Sequence, residues 1–430
     1  MNRPYRFTIL VIALSLTMTM NTIAAPAKMN PRVKKAVEKG KVYLIDSIQA
    51  DGRFPGTFVD QAGNSALSIY ALLKCGIPVD HAVMKKALPG IIRYANTALP
   101  NRDNKFTYNA GIVLLALDAL REANDNPVRG GASPGSPGEK GAAPKGKINR
   151  NKLRAAIHRL ARMLVKSQNG DGGYGYKFGS RSDLSNTQYG ALGMWAARRS
   201  GYKVNKTSLT KLARYVMSIQ EKFEAGDRYS EPDAAGFSYG ANNKKATQPM
   251  TAAGIGTLAI IFSEITKKRI DRKEYESPGD KPVEGEEKEV QLIEDGAAAN
   301  DKNKKPQDKP GKKMIKRPPN IQEAIDAAFA WLAENGYAHP DSYHLYGLER
   351  ACTLTNTTKI GGADWYALLS DIAVGMQRPD GSWLNSRNDV NISTAWTLLF
   401  LVRATRQMIE TDPQYDSPGE KPHKKEARAE

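Results

Sequence analysis

The hydrophobic positions of this chain follow two helical patterns that alternate along the sequence. The segment 151–168 is sharply amphipathic, and the apolar residues that share its buried face are Leu153, Ile157, Leu160 and Leu164. The segment from Ser185 through Ala197 is instead apolar or small at nearly every position. The first pattern is typical of a helix with one buried face, and the second of a helix buried on all sides. Together they predict a hairpin made of an outer and an inner helix.

Six such hairpins are predicted. Their outer helices cover 31–49, 79–97, 151–168, 207–220, 320–334 and 363–377. Their inner helices cover 64–75, 107–122, a segment from 185, a segment from 248, 341–354 and 392–408. The predicted fold class is therefore all-α. The tracts 124–149 and 268–318 are rich in Pro, Gly and charged residues that cannot bury a core, so two disordered insertions are predicted.

A short motif recurs where an outer helix passes into an inner one. It is clearest as QNGDGGY from Gln168, returns as QRPDGSW from Gln377, and has weaker copies from Gln49 and Gln220. Its glycines allow a sharp reversal at positive φ, its aromatic ring can pack over the turn, and its Gln can bind orphan backbone groups. The residues assigned this structural role are Gln168, Asp171, Gly172, Gly173, Tyr174, Gln377, Asp380, Gly381 and Trp383.

The spacing of these motifs predicts the number of repeats. Gln168 and Gln220 are 52 positions apart, which sets the length of one unit. Once the two tracts are removed, the interval from Gln49 to Gln168 and the interval from Gln220 to Gln377 each correspond to two units. The chain is therefore expected to contain about six helix pairs, two of which lack a clear Gln motif.

These segments resemble a known family. QNGDGGYGY before SNTQYGALGMWAA, and QRPDGSW before STAWTLLFL, resemble the QW repeats of squalene–hopene cyclases and the related repeats of protein prenyltransferase β subunits. YHLYGLERACTL and IGGADWYALL look like segments of exported bacterial proteins with such repeats. The resemblance covers most of 28–410 outside the two tracts. It implies an (α/α)6 toroid, in which the inner helices form a barrel and the outer helices surround it.

The resemblance does not extend to the catalytic residues of those families. Squalene–hopene cyclases use a D-x-D-D motif as the acid, and this chain has none. Protein prenyltransferases use zinc held by Asp, Cys and His, and no Cys or His here has a paired metal-ligand spacing. Ser–His–Asp, P-loop and dinucleotide motifs are also missing. No metal and no cofactor is predicted.

The first 27 residues have the pattern of a secretory signal. Arg3 and Arg6 precede the apolar run Phe7–Met20, and Ala25-Pro26-Ala27 offers a cleavage site. The chain is therefore expected to be exported to the periplasm or the exterior of a bacterial cell. No later segment is expected to span a membrane, and an uncleaved anchor is the alternative to cleavage. The tail 411–430 is predicted to be disordered.

Charge and cysteine usage leave several partners open. The formal net charge is +18, which fits either an anionic partner or solvated charge, and no nucleic-acid motif accompanies it. Cys75 and Cys352 are consistent with a disulfide or with two buried thiols. An SPG[ED]K motif recurs from Ser136, in Tyr275–Pro282 and in Tyr415–Pro422, so the tracts could carry a docking motif for a protein or merely low-complexity sequence.

Polar residues at the starts of inner helices are the site candidates, because these starts face one mouth of a toroid. Asp183 and Asp389 are the pair considered for carboxylate catalysis, as in exported toroid hydrolases and lyases. The cavity-mouth candidates are Asn186, Gln188, Gln248, Thr251, Tyr343, His344, Glu349, Asn391 and Thr394. Helix capping is the alternative role for each of these side chains.

Three functional hypotheses remain at this stage. The first is an exported toroid that binds a lipid-like or saccharide ligand in its cavity or at its rim, without cyclase or prenyltransferase chemistry. The second is an enzyme that uses cavity carboxylates on such a substrate. The third is a scaffold that binds a protein partner through the SPG[ED]K tracts.

Overall fold

A computed structural model gives the arrangement of residues 29–125, 148–222, 233–270, 320–384 and 389–412. This part of the chain contains thirteen helices and four short strands. The predicted signal, the SPG[ED]K repeats and the tail from 413 onward lie outside the described residues, as do positions 126–147 and 271–318 of the two tracts.

Outer and inner helices alternate as predicted. The outer helices are α1 (Pro31–Asp46), α3 (Ala82–Thr97), α5 (Arg150–Lys166), α7 (Lys206–Ser218), α9 (Ile321–Asn335) and α11 (Trp365–Gly375). The inner helices are α2 (Gln61–Lys74), α4 (Phe106–Asp125), α6 (Leu184–Arg199), α8 (Gln248–Thr266), α10 (Ser342–Leu354) and α12 (Val390–Leu401). A short last helix, α13 (Ala404–Glu410), follows. Two antiparallel ribbons, β1 (Ser238–Gly240) with β2 (Asn243–Ala246) and β3 (Lys359–Ile360) with β4 (Ala363–Asp364), lie in the connections.

The six inner helices form a closed ring. Each packs against the inner helices before and after it in the chain, and α12 packs back against α2. The outer helices surround this ring, and α1 closes the outer layer by packing against α11 and α12. These contacts confirm the predicted all-α fold with six helical hairpins.

Small residues allow the inner helices to approach one another. A Cβ added to Gly193 of α6 would lie 2.7 Å from a Leu164 methyl carbon and 3.0 Å from the Cα of Gly111 on α4. Both distances are too short for a side chain, so α4 and α6 are in backbone contact at this level. Helix α6 is buried on nearly every side through Ala197, because it packs on α4, α5 and α8 at once.

Where the motif occurs, its Gln side chain ties the repeat to the next outer helix. The Gln168 amide donates to the carbonyl of Gly172 in its own turn (2.8 Å) and to that of Ser208 in α7 (2.9 Å). Gly172 has φ +93°, and a Cβ added to it would lie 2.1 Å from the carbonyl oxygen of Lys211. Because a side chain there would meet both the strained φ and this oxygen, only glycine fits.

The same corner closes the circle between the last repeat and the first. The Gln377 amide donates to the carbonyl of Gly381 (2.9 Å) and to that of Ala36 in α1 (2.8 Å). Gly381 has φ +89°, and a Cβ added to it would lie 2.5 Å from the carbonyl oxygen of Lys39. The outer layer is therefore joined end to end by the same hydrogen bonds that join its internal repeats.

A second recurrent hydrogen bond fixes the aromatic residue of each corner. The backbone N–H of that residue donates to a hydroxyl in the first turns of the following inner helix, at 3.0–3.1 Å. The four donor–acceptor pairs are Phe54 with Ser65, Tyr174 with Thr187, Phe237 with Thr251, and Trp383 with Thr394. Thr251 and Thr394, both considered as cavity-mouth residues, are therefore engaged in holding corners.

The far end of the ring, where the inner helices end, is closed by buried ion pairs. Arg199 pairs with Asp118 at 2.6 Å, and Lys74 pairs with Glu122 at 2.6 Å. Helix α13 covers this end, and the buried carboxylate of Asp412 accepts from Arg198 at 2.8 Å. The ordered contacts thus continue to Asp412, two residues beyond the predicted end of the toroid.

The last inner helix departs from its predicted length. Instead of running over 392–408, α12 ends at Leu401, and the chain bends at Arg403, which has φ +51°. The Arg403 guanidinium lies 5.4 Å from the Trp365 ring centroid and 5.0 Å from that of Tyr366. These cation–π contacts hold the bend although no Gly or Pro marks it in the sequence.

The expectation that no segment after the signal is long and apolar enough to cross a membrane is wrong for α8. Its 19 residues are long and apolar enough to cross a bilayer by length and composition alone. Most of this helix is buried inside the protein, because α8 packs against α6, α7, α9 and α10. The apolar length of α8 reflects its place in the ring. Cys75, at the end of α2, and Cys352, in α10, are likewise buried in this core.

We expect Gly172→Ala to lower the free energy of unfolding by about 2 kcal/mol or more, because a side chain at this φ meets the Lys211 carbonyl. Gly170→Ala is the matched control, since a Cβ there has no neighbour within 4 Å. Chemical denaturation of both variants checks this. Equal unfolding midpoints would show that the corner does not depend on glycine.

Candidate functional site

One end of the ring, which we call the mouth, is formed by the N-terminal ends of the inner helices. The cap residues there are Asp60, Asp183, Thr247, Asp341 and Asp389. All of these except Asp60 accept a hydrogen bond from a backbone N–H of the first turn of their helix. Capping therefore accounts for several of the carboxylates that the mouth displays.

Asp183 combines capping with an unusual environment. Its carboxylate accepts from the Asn186 backbone N–H and from the Asn186 side-chain amide, both at 2.8 Å. The residue is only 6% exposed, and burial raises the pKa of Asp183 to about 6, a rise that hydrogen bonds from Asn186 and Tyr239 oppose without cancelling it. Its carboxyl group therefore titrates close to neutral pH.

Asp389 has a different task, because it holds the loop that precedes α2. Its Oδ2 accepts from the Thr57 backbone N–H (2.5 Å), the Thr57 hydroxyl (3.1 Å) and the Phe58 backbone N–H (3.1 Å). Its Oδ1 caps α12 through Ile392. Through these bonds Asp389 fixes the backbone of Phe58 at the mouth.

The carboxylates expected to act together are therefore separated. Asp183 starts α6 and Asp389 starts α12, which are three places apart in a ring of six helices. Asp183 bonds to Asn186 of its own helix, whereas Asp389 also bonds to the loop before α2. The pair that does converge is Asp60 and Asp103, since both accept from the Asn109 amide at 2.9–3.2 Å. Burial, and then the neighbouring Asp103, raises the pKa of Asp60. Among the described residues, no group of three or more His, Cys, Asp and Glu side chains has a metal-binding arrangement.

Below the mouth the ring interior is filled by an aromatic column. It consists of Phe58 from the loop, Tyr108 from α4, Tyr189 from α6, Tyr343 from α10 and Trp396 from α12. Phe58 packs edge-on against Tyr108 (5.0 Å between centroids) and Trp396 (4.7 Å). The Trp396 indole N–H donates to the Tyr189 hydroxyl at 3.3 Å, so side chains from opposite helices meet on the ring axis.

The polar atoms of this column satisfy one another. The Tyr343 hydroxyl bonds to the Ser185 hydroxyl at 2.7 Å and accepts from the Gln188 amide. The Tyr108 hydroxyl also bonds to Ser185. Since buried hydroxyls are costly without partners, this network fixes the rotamers of the lining.

A cation lies at the inner end of the column. Arg350 of α10 donates to the Gln188 side-chain carbonyl at 2.7 Å, and its guanidinium carbon lies 4.2 Å from the Tyr346 ring centroid. The residue is 3% exposed. The path from the mouth to Arg350 thus runs through Phe58, Tyr343 and Gln188.

The rim of the mouth carries exposed aromatic side chains. Tyr176 is 41% exposed, Phe178 57% and Tyr239, on β1, 37%. The Tyr176 and Tyr239 hydroxyls are 3.3 Å apart, and the Tyr176 ring lies 5.7 Å from that of Tyr108. The aromatic surface of the rim is therefore continuous with the aromatic column.

The remaining candidates lie away from the column or face other groups. Gln248 donates to the Asn335 carbonyl (3.1 Å), and Asn391 donates to the Ser47 hydroxyl (3.0 Å), so both tie the inner ring to outer elements. His344 is buried, and its Nε2 bonds to the Tyr337 carbonyl at 2.8 Å. Burial lowers the pKa of His344 to about 4, which keeps the ring neutral at physiological pH.

Glu349 is not at the mouth. It lies in the second half of α10, where it accepts from the Thr405 hydroxyl of α13 at 2.5 Å and from Thr353 at 3.2 Å. Burial raises the pKa of Glu349 to about 6. Of the predicted mouth residues, Asp183 is hydrogen-bonded to Asn186, and Gln188 to Tyr343.

Sequence reasoning missed Arg350, Phe58, Tyr239 and the Asp60–Asp103 pair. Arg350 had a visible signal, because a charged residue in an inner helix buried on all sides must have a special partner. Phe58 had none, since it lies in a loop whose course depends on Asp389, more than 300 positions later.

We expect Asp183→Asn to become more stable relative to the wild type as the pH rises from 4 to 7. In the wild type the pKa of Asp183 is about 4 in the unfolded state and about 6 in the folded state. The free energy of unfolding of the wild type therefore falls by about 2 kcal/mol between pH 4 and pH 7. Asn cannot ionise, so the variant does not lose this stability. Denaturation at both pH values measures the difference, and a ¹³C carboxyl titration gives the pKa directly. A stability difference that is the same at both pH values would contradict the raised pKa.

No family model and no curated protein matches this chain. Solved structures of the type II terpene cyclase MstE from Scytonema are similar to it in fold. The apo enzyme covers 88% of this chain and 99% of its own at 11% identity, with a TM-score of 0.42. A variant in complex with geranylgeranyl dihydroxybenzoate, its substrate, covers 87% and 97% at 11% identity, with a TM-score of 0.44.

Proposed function

We propose that this chain is an exported toroid that binds a lipid-like ligand at its mouth, without cyclase or prenyltransferase chemistry. The observation that carries the proposal is the continuous aromatic surface from the exposed Tyr176 and Tyr239 to the buried Tyr108. Exposed aromatic faces next to a buried aromatic interior are typical of sites that take up apolar molecules. Export follows from the signal-like sequence at 1–27.

The polarity of the column favours a lipid-like ligand over a saccharide. The hydroxyls and amides that line it already bond to each other, as Ser185 does with Tyr108 and Tyr343. A saccharide would need many of these groups for its own hydroxyls, and breaking the network would leave them unpaired. An apolar chain needs only contact with the ring faces.

A neutral amphiphile tests the proposal. We expect 1-octanol to bind the purified protein, and Tyr176→Ala combined with Tyr239→Ala to weaken binding about tenfold, because two aromatic contacts are lost. Isothermal titration or ligand-observed NMR measures the affinity. Leu368→Ala, which removes an apolar side chain that is 42% exposed on α11, is the control and should have no effect. Binding of maltohexaose with no binding of octanol would reverse the choice of ligand.

A further inference from the structure

Arg350 is a buried cation without a carboxylate partner. Within the described part of the chain, its guanidinium forms no ion pair with an Asp or Glu side chain. The carboxylate of its neighbour in sequence, Glu349, accepts from Thr405 of α13 and from Thr353 of α10. The guanidinium is left with the Gln188 carbonyl and the face of Tyr346. Burying a guanidinium with only these two contacts is unfavourable unless a further acceptor binds it.

One nitrogen of this guanidinium has no acceptor. Nη1 of Arg350 is buried and makes no hydrogen bond with any described residue. Arginine carries five N–H donors in a rigid planar fork whose natural partner is a carboxylate or a phosphate. The unpartnered nitrogen therefore marks a place where an oxygen of a bound molecule would be stabilised.

Beside Arg350 the packing accepts one added carbon at ordinary contact distance. A Cβ added to Gly347 would approach nothing more closely than 3.8 Å, with the Arg350 Nη2 among its nearest atoms. A Cβ added to Gly256 of α8 would come no closer than 3.7 Å, to the Arg350 Cβ and the Ala351 nitrogen. In contrast, Gly190 and Gly193 would place a Cβ within 2.6–2.7 Å of a neighbouring side chain. The inner wall is thus looser beside the guanidinium than at α6.

We propose that Arg350 is the binding site for the carboxylate of an amphiphilic ligand whose apolar body lies in the aromatic column. This inference rests on the proposed function and specifies its ligand as an acid. A single guanidinium supplies one positive charge, which matches a carboxylate better than a phosphate dianion. Gln188 holds the fork in place from α6, so the site joins two helices of the ring.

Phe58 stands between the mouth and this site. It is half-buried, its ring centroid is 6.4 Å from that of Tyr343, and its backbone is held by Asp389. Because it comes from a loop, it can be displaced without disturbing a helix of the ring. A ligand that reaches Arg350 replaces the Phe58 side chain against Tyr108 and Trp396.

Three eight-carbon probes with different head groups test the site on the full chain: octanoate, octyl phosphate and 1-octanol. We expect wild type to bind octanoate more tightly than the other two. Arg350→Gln should weaken octanoate about 10- to 100-fold, the loss of a charged hydrogen bond, and leave octanol within about threefold. Phe58→Ala should tighten both octanoate and octanol. Arg406→Gln, a surface arginine paired with Glu410, is the matched control and should change nothing.

The outcomes separate this inference from the proposed function. If octanol binds through the rim but octanoate is not preferred, or if Arg350→Gln weakens both equally, Arg350 is a structural cation satisfied by water and the inference fails while the proposed function stands. A preference for octyl phosphate assigns the site to a phosphate head and overturns the carboxylate. If none of the probes binds, both proposals fail. Should Arg350→Gln not fold, Gly347→Ala tests the same space, with a selective loss of octanoate expected and an unchanged affinity contradicting it.

Discussion

The ring depends on the contact between a corner glycine and a backbone carbonyl of the next outer helix. At Gly52, Gly172 and Gly381 the positive φ and the facing lysine carbonyl recur, and the amides of Gln168 and Gln377 bridge the same joints. These contacts are backbone to backbone, so they fix the distance between repeats more firmly than side-chain packing would. Because the last corner joins α11 to α1, the ring closes without an exposed terminal repeat.

Closure determines what the interior can contain. Six inner helices with a common direction bring their capped ends to the mouth and their last turns to the opposite end, where Arg199, Asp118 and Glu122 form buried ion pairs. One end is therefore closed by charge and by α13, while the other presents aromatic side chains. The tyrosines between them need partners for their hydroxyls and find these across the axis, which makes the column specific in shape as well as apolar.

Much of the fold could be predicted from the sequence, because helix periodicity and glycine corners are local signals. The bend at Arg403 could not, since it depends on the rings of Trp365 and Tyr366 and not on a helix-breaking residue. The candidate site was predictable only in part. Polar residues at helix starts were found, but the ring puts Asp183 and Asp389 on opposite helices and uses Asp389 to hold Phe58. Which of them meet depends on contacts between distant segments, and periodicity carries no information about those.

The arrangement of charge along α10 argues for a ligand over mere stability. Glu349 and Arg350 are adjacent, both buried, and turned to different partners, so that neither neutralises the other at close range. Replacing such charges by apolar residues generally stabilises a core, and a direct ion pair would at least reduce the cost of burying them. A fold selected only for stability would use one of these solutions. Arg350 instead keeps an unpartnered Nη1 beside Gly347, at the inner end of the aromatic column. An anion that enters the column would supply the missing acceptor.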